Sequence, residues 1–434
     1  MMPTVCIIGA GSSGISAAKV LNQKGIGFDC FEKGSAIGGN WRYNNDNGMS
    51  SAYRSLHINT NRMVMAYSDF PMPTEYAMFP HHSQIIKYFE SYAQHFGIAD
   101  KITYNTAVTS VCPADGGYRV TTSDGQERIY AHVVVSNGHH WNPRYPEPAF
   151  PGQFAGEVMH SHDYKVPEQI QGKDILIVGI GNSAVDIACE AARQATGNKV
   201  VISTRSGAYV IPNWLMGMPF DSLANPLTAK LPMSLQRLLL KASLLLARGR
   251  QEAYGVPVPK RPLLSEHPTI SQDLLTIAGR GLVQFKPNIA SFDGYDVLFT
   301  DGTQQRFDML IYATGYKVTF PFFAPDFINV ETDNNLQLYR RVVHPNYPGL
   351  YFQGLVQPLG AIMPLAETQA NWIAKLIAGE CRLPDRDTMM RTIKQDAEQN
   401  LRRYNQSVRH TLQVDFHPYR KTIELEIKKY AHRL

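Results

Sequence analysis

Two short apolar strands, each running into a glycine-rich turn and then a helix, predict an α/β chain with two Rossmann-like, dinucleotide-binding domains. The first is Val5-Cys6-Ile7-Ile8 before Gly9-Ala10-Gly11-Ser12-Ser13-Gly14. The second is Ile175-Leu176-Ile177-Val178 before Gly179-Ile180-Gly181-Asn182-Ser183-Ala184. In each, the first glycine permits the tight turn, the second lets a pyrophosphate come close to the backbone, and the third small residue lets helix and strand pack closely. The free N–H groups at the helix start then face the phosphates.

The residue that ends the next strand distinguishes the two sites. After the first turn a helix is expected over about 13–24, then a strand over 27–32 that finishes in Glu32, where a carboxylate would accept the ribose hydroxyls of an adenosine. After the second, a helix over about 182–194 and a strand over 199–202 finish in Ser203-Thr204-Arg205-Ser206. No acid stands there. A carboxylate would repel a 2′-phosphate, whereas an arginine with neighbouring hydroxyls holds one through charge-assisted hydrogen bonds. The first site thus reads as FAD or NAD, carried by Gly9, Gly11, Ser13, Gly14 and Glu32. The second reads as NADP(H), carried by Gly179, Gly181, Asn182, Ser183, Ser203, Thr204 and Arg205. The competing reading is a solvated charge at a strand end for Glu32 and Arg205, and a plain helix start for Ser183.

At 434 residues the chain is too long for one typical core. The glycine turns divide it into a first dinucleotide domain over 1–165, a second over 166–285 inserted into it, and a return to the first over 286–434. Within the first part a helix over 83–96 places Ile85, Ile86, Phe89, Tyr92 and Phe96 at helical spacing. Strands follow near 107–111, 118–122 and 129–136, split by Asp115-Gly116-Gly117 and Asp124-Gly125 turns. The proline-rich 142–148 reads as a linker. Strands over 295–300 and 306–312 lead into Ala313-Thr314-Gly315-Tyr316, and helices over 367–378 and about 387–404 precede a mostly polar tail.

The pattern changes over about 206–280, a largely looped insertion with one apolar helix at 234–247. Leu235, Leu238, Leu239, Ala242, Leu245 and Leu246 share one face, and Arg237, Lys241 and Arg248 the other. The expectation is a helix packed on the protein with its cations in water; the alternative is a membrane-surface or substrate-access helix with a basic face. A helix of this kind also suits a homodimer.

Composition narrows the function classes. A formal charge of +5 without basic runs gives nucleic-acid binding little support, and anionic cofactors account for the mild bias. The five cysteines are scattered with no Cys-x-x-Cys pair, which argues against a disulfide framework, a zinc site and a dithiol reductase. His81-His82 and His139-His140 lack an Asp, Glu or Cys at ligand spacing, so no metal site is expected. The first strand begins by Thr4, which leaves no room for a signal peptide, and no apolar stretch reaches the 18 or so residues of a span. A cytoplasmic protein is expected.

The stretch Phe154-Ala155-Gly156-Glu157-Val158-Met159-His160-Ser161-His162-Asp163-Tyr164 has the form F-x-G-x-x-x-H-x-x-x-(F/Y) and lies just ahead of the second glycine turn. It resembles the fingerprint of the flavin-containing monooxygenases. Gly38-Gly39-Asn40-Trp41, Asn59-Thr60-Asn61, Tyr67-Ser68-Asp69-Phe70-Pro71, Ala313-Thr314-Gly315-Tyr316 and Gly354-Leu355-Val356-Gln357-Pro358-Leu359-Gly360-Ala361 agree with that family over nearly the whole chain. Baeyer-Villiger monooxygenases carry a tryptophan where this chain has Tyr164, so the resemblance is to the amine- and sulfide-oxidising branch. Mammalian members end in a hydrophobic anchoring tail, unlike Glu424-Leu425-Glu426-Ile427-Lys428-Lys429-Tyr430.

The resemblance implies a cycle in which NADPH reduces FAD, the reduced flavin captures dioxygen, and a C4a-hydroperoxyflavin oxygenates a soft nucleophile. Nitrogen or sulfur of small amines and thioethers would be the target, indole among them. Few catalytic side chains are needed, because the cofactor carries the oxidation. Asn59 aligns with the asparagine that the family places at the flavin, and is the expected catalytic residue; the alternative is an Asx-turn asparagine in a loop. By the same resemblance Asn40, Trp41 and Thr60 line the FAD site and Gln357 lies near the isoalloxazine. His160 is expected to be hydrogen-bonded to backbone and to order the fingerprint rather than to act chemically.

Overall fold

The computed structural model describes residues 4–194, 197–328, 330, 336–404 and 412–432. Two compact units emerge, one made of Met1–Ala52, Leu56–Asn142 and Lys317–Leu434, the other of Tyr53–Ser55 and Pro143–Tyr316.

The first unit is built on a five-stranded parallel sheet in the order Leu350–Phe352, His132–Val135, Val5–Ile8, Phe28–Phe31, Ile102–Thr103. Val5 pairs with both Phe28 and His132, so the strand leading into the first glycine turn is central and buried along its whole length. Continuous apolar runs are what a parallel sheet covered on both faces requires. The helix Ser12–Gln23 follows, its Ile15, Ala18 and Leu21 buried in a core shared with Met363–Ile377 and His82–His95. The last of these is the helix expected over 83–96. It starts with a capping box between His81 and Gln84, and buries Tyr88 along with the anticipated Ile85, Ile86, Phe89 and Tyr92.

The strand expected over 129–136 proves to be two. Glu127–Tyr130 closes an antiparallel meander with Gly117–Thr122 and Val108–Ala114, and His132–Val135 joins the parallel sheet. Residues up to Tyr130 pair antiparallel and residues from His132 pair parallel with a different strand, so the chain must break between them. The tail also departs from expectation. Gln413–Asp415 pairs with Gln357–Leu359, and Phe416–Lys429 is a helix that buries Tyr419 and Ile423.

The second unit repeats the plan, with strand order Glu157–His160, Met309–Tyr312, Ile175–Val178, Val200–Ser203, Gln284–Lys286, all parallel. Its helix Asn182–Arg193 buries Val185, Ile187, Ala188 and Cys189. The boundaries expected at 165/166 and 285/286 therefore move to 142/143 and 316/317. The reason is strand pairing: Glu157–His160 and Met309–Tyr312 lie next to one another in this second sheet. An antiparallel set, Ile289–Gly294, Asp296–Phe299 and Gln304–Arg306, adds Gly152–Phe154 as a parallel edge.

The insertion contains the helix Met233–Arg248, a short parallel pair Val210–Ile211 with Thr269–Ile270, and a hairpin of Trp214–Leu215 with Met218–Pro219. The expectation for the helix is inverted. Leu244 is its one buried residue among those described, whereas Leu238 and Leu246 are 63% and 80% exposed. Two of the three cations turn inward instead, Arg237 donating to the Leu263 carbonyl at 2.8 Å and Arg248 to that of Val210 at 2.9 Å, while Lys241 is exposed.

Candidate active site

In the first unit the glycine turn is a close-packed cradle. Gly9 has φ +96°, and a Cβ on Gly14 would stand 1.8 Å from the Gly9 carbonyl oxygen. Gly11 caps Ser12–Gln23 without any side-chain acceptor and no acid stands in the first turn, so the helix start keeps unclaimed N–H donors. The Gly38-Gly39-Asn40-Trp41 turn lies against it: the Gly38 N–H donates to the Ala10 carbonyl at 3.1 Å, and a Cβ on Gly39 would meet Gly11 Cα at 3.1 Å. Trp41 is half-buried against the core, and Asn40 accepts from the N–H and hydroxyl of Ser51 through Oδ1, which leaves its amide hydrogens for other partners.

Glu32 is buried beside the turn. Its Oε2 accepts from the Ala10 N–H at 2.8 Å, and its Oε1 from the Gly34 N–H at 2.9 Å and Asn47 Nδ2 at 3.2 Å. A carboxylate has about four acceptor sites, so little capacity is left for ribose hydroxyls, and Glu32 also serves to pin the turn. Gly354, at φ +74°, comes so near Ser13 that a Cβ would lie 2.1 Å from its Oγ. Gln357, half-buried, starts its strand three residues further on.

Asn59 and Thr60 are half-buried, and neither side chain makes a hydrogen bond among the described residues. Their neighbours are fixed. Ile58 donates its N–H to the Pro80 carbonyl at 2.9 Å, and Asn61, fully buried, accepts from the N–H groups of Met63 and Val64 to cap Arg62–Met65. Sequence reasoning missed two supports. Gln353, buried, donates to Ser16 Oγ and the Ala366 carbonyl, each at 2.9 Å. Lys19, also buried, pairs with Glu367 at 3.1 Å and with Asp69. Neither follows a local pattern, because Ser16 lies 337 positions from Gln353 and Glu367 lies 348 from Lys19.

In the second unit Gly179, at φ +121°, would bring a Cβ 2.5 Å from the Ala313 carbonyl oxygen, and Gly181 again caps its helix with no side-chain acceptor. Ser183 is half-buried and uncommitted among the described residues. Asn182 accepts through Oδ1 from the Ile270 N–H at 2.8 Å. Ser203 departs from expectation: it is buried and its hydroxyl donates to the Pro287 carbonyl at 2.7 Å, so it does not face a phosphate. A strand residue at that position points into the sheet's flank rather than out of its end. Thr204 accepts the Gly207 N–H at 3.2 Å and keeps its own proton to donate; Arg205 is exposed, with no bond or ion pair among the described residues.

Tyr164, the last residue of the fingerprint, is fully buried and donates to Glu190 Oε2 at 2.6 Å. Ser55 donates to the same oxygen at 3.0 Å, Arg54 to both oxygens of Glu168, and Tyr53 to Asp186. Burial pushes the Asp186 carboxyl up to about 6. His160 accepts the His162 N–H through Nδ1 at 3.1 Å, so its structural bond is to backbone. Burial, then His162, pull its pKa down to about 4; burial alone does the same to His139 and His344 in the first unit.

A histidine whose folded pKa lies below its unfolded value of about 6.5 favours folding when neutral. That contribution is whole above about pH 6.5 and is lost as pH falls toward 4. The unfolding temperature should therefore drop over that window, and His139→Gln with His344→Gln should flatten the drop; an unchanged acid limb in the double variant would refute the assignment. Asp186 acts in the opposite sense, its contribution being lost as pH rises through 6.

The chain matches a family model described as flavin-binding monooxygenase-like over residues 3–431. It belongs to that family. It is 37% identical to flavin-containing monooxygenase 5 of Rattus norvegicus over 95% of this chain and 80% of the relative. It is 35% identical to dimethylaniline monooxygenase [N-oxide-forming] 2 of the same species, over 98% and 83%. Among solved structures, the S-allyl-L-cysteine S-oxygenase of Allium sativum matches with TM-score 0.71 and 25% identity, covering all of this chain and 90% of that one. This flavin-binding monooxygenase-like chain is an NADPH- and oxygen-dependent enzyme that uses FAD. The uncapped helix starts and glycine cradles of both units fit two dinucleotides.

Proposed function

We propose that the enzyme oxygenates nitrogen or sulfur of small molecules such as amines and thioethers, with indole a further candidate. The observation that carries this reading is Tyr164, a tyrosine where ketone-oxygenating relatives have tryptophan, buried and bonded to Glu190. Relatives named for N-oxide formation and S-oxygenation support it. When bound, NADPH supplies the reducing equivalents and FAD the oxygen chemistry. The chain's part is to hold and orient them. The Gly9–Gly14 turn and the start of Ser12–Gln23 take the phosphates of FAD, Glu32 fixes the turn, and Asn40, Trp41, Thr60 and Gln357 line the remainder. The Gly179–Ser183 turn, Thr204 and Arg205 take NADPH. Asn59 offers Nδ2 hydrogens near the flavin without a titratable proton.

Five free cysteines, four of them buried, support a cytoplasmic setting. Among the described residues no helix is long and apolar enough to cross a membrane.

Oxygen uptake with NADPH, followed by mass analysis of a tertiary amine, a thioether, indole and a cyclic ketone, tests the reading. N- or S-oxides are the expected products. Lactone from the ketone alone would favour Baeyer-Villiger chemistry, and hydrogen peroxide with no oxygenated product would favour simple electron transfer.

A further inference from the structure

The 354–361 segment, which carries Gln357, is held at three points by the stretch 412–419. Its strand Gln357–Leu359 pairs with Gln413–Asp415, and the Gln357 N–H donates to the Leu412 carbonyl at 2.8 Å. Gly360 lies so close to the start of the helix Phe416–Lys429 that a Cβ on it would stand 3.0 Å from Phe416 Cβ. The third point is a buried relay. The Gly354 N–H donates to Gln369 Oε1 at 2.8 Å, Gln369 Nε2 to the Tyr419 hydroxyl at 2.7 Å, and that hydroxyl to the Arg340 carbonyl at 2.8 Å.

Each bond of the relay has one polarity. A backbone N–H must be met by the amide oxygen of Gln369, which turns Nε2 toward Tyr419. Nε2 then occupies a lone pair of the phenol oxygen, and the phenol proton goes to Arg340. Burial pushes the Tyr419 phenol up, so that proton stays in place. Gln369 and Tyr419 are both buried, and removing either leaves the other's polar atom without a partner. The acceptor at the far end is fixed as well: the Arg340 guanidinium donates to Glu426 Oε1 at 2.9 and 3.0 Å and to the two oxygens of Asp396 at 2.9 and 3.0 Å. At the near end Gly354 stands against Ser13, and Gln357 follows three residues on.

We propose that Tyr419, acting through Gln369, is a positioning residue for the flavin: it sets where Gly354 stands and so holds Gln357 at the isoalloxazine. The proposal rests on the assignment of FAD to the first unit and of Gln357 to its ring. Tyr419 and Gln369 act on the ring only through the backbone of residues 354–357. Gln369 lies 15 positions from Gly354 and 50 from Tyr419, so no local pattern announces the relay.

The test is FAD binding to the apoprotein, followed by flavin fluorescence, together with the visible absorption of the bound flavin and the unfolding temperature of the apoprotein. Tyr419→Phe keeps the ring in the core and removes only the hydroxyl. It should raise the Kd for FAD about tenfold, the loss of one buried hydrogen bond, and shift the absorption band. Gln369→Asn, which shortens the relay by one methylene, should do the same and serves if the first variant does not fold. Gln357→Leu should also shift the band. The double variant of Tyr419→Phe with Gln357→Leu should bind FAD no more weakly than Gln357→Leu alone, because the two residues act in series. Ile423→Val, fully buried in the same helix, should lower the unfolding temperature and leave Kd and band unchanged. Additive losses in the double variant, an unmoved band in Tyr419→Phe, or an equal shift in Ile423→Val overturns the role of Tyr419. An unmoved band in Gln357→Leu overturns instead the placement of Gln357 on which the proposal rests.

Discussion

Gly14→Ala is expected to yield a protein that cannot retain FAD and whose first unit unfolds about 5–10 °C lower. The added Cβ would stand 1.8 Å from the Gly9 carbonyl oxygen and 2.8 Å from its carbon. Both are backbone atoms of the turn, so no side chain can swing aside. Overpacking of this kind costs about 1–3 kcal/mol or more, and it moves the helix start away from the strand that feeds it. Gly11→Ala makes the informative contrast. Its Cβ would meet only Gly39 Cα, at 3.7 Å, an ordinary contact. That variant should fold with an unchanged melting temperature yet bind FAD more weakly, because the methyl stands where a pyrophosphate must approach the backbone. FAD content after gel filtration and thermal unfolding separate the two. Normal flavin loading in Gly14→Ala would show that the first turn is not the FAD cradle.

Short-range features of this chain were legible in its sequence, and long-range ones were not. The strands Val5–Ile8 and Ile175–Val178, their glycine turns and the helix His82–His95 follow from apolar runs, glycine spacing and a 3.6-residue period, all contained in a dozen residues. What failed depends on partners that sequence order hides. Ser203 reads like a phosphate ligand beside Arg205, but its hydroxyl is taken by Pro287, 84 positions away. The run near 129–136 reads as one strand, and only the pairing of Tyr130 with Tyr118 and of Val133 with Cys6 divides it between two sheets. The leucine helix is periodic as expected, yet its period cannot say which face the rest of the insertion will cover.

Asn59→Asp is expected to retain FAD and to consume NADPH, while oxygenated product falls by about 10²–10³-fold and hydrogen peroxide appears in its place. The backbone on both sides of Asn59 is pinned, by the Ile58 bond to Pro80 and by the Asn61 cap, yet the Asn59 amide itself is uncommitted among the described residues. A polar side chain left unsatisfied on a rigid support is the arrangement a preorganised donor requires. Aspartate keeps the shape but removes both Nδ2 hydrogens and adds a negative charge where an oxygen must be stabilised. The substitution also separates the two readings of the residue. If Asn59 merely shaped a turn, aspartate would serve nearly as well, since both residues form Asx-turns. Product yield per NADPH decides between them: near-normal coupling in Asn59→Asp would assign the residue to the loop, and uncoupling with a fully loaded flavin assigns it to the chemistry.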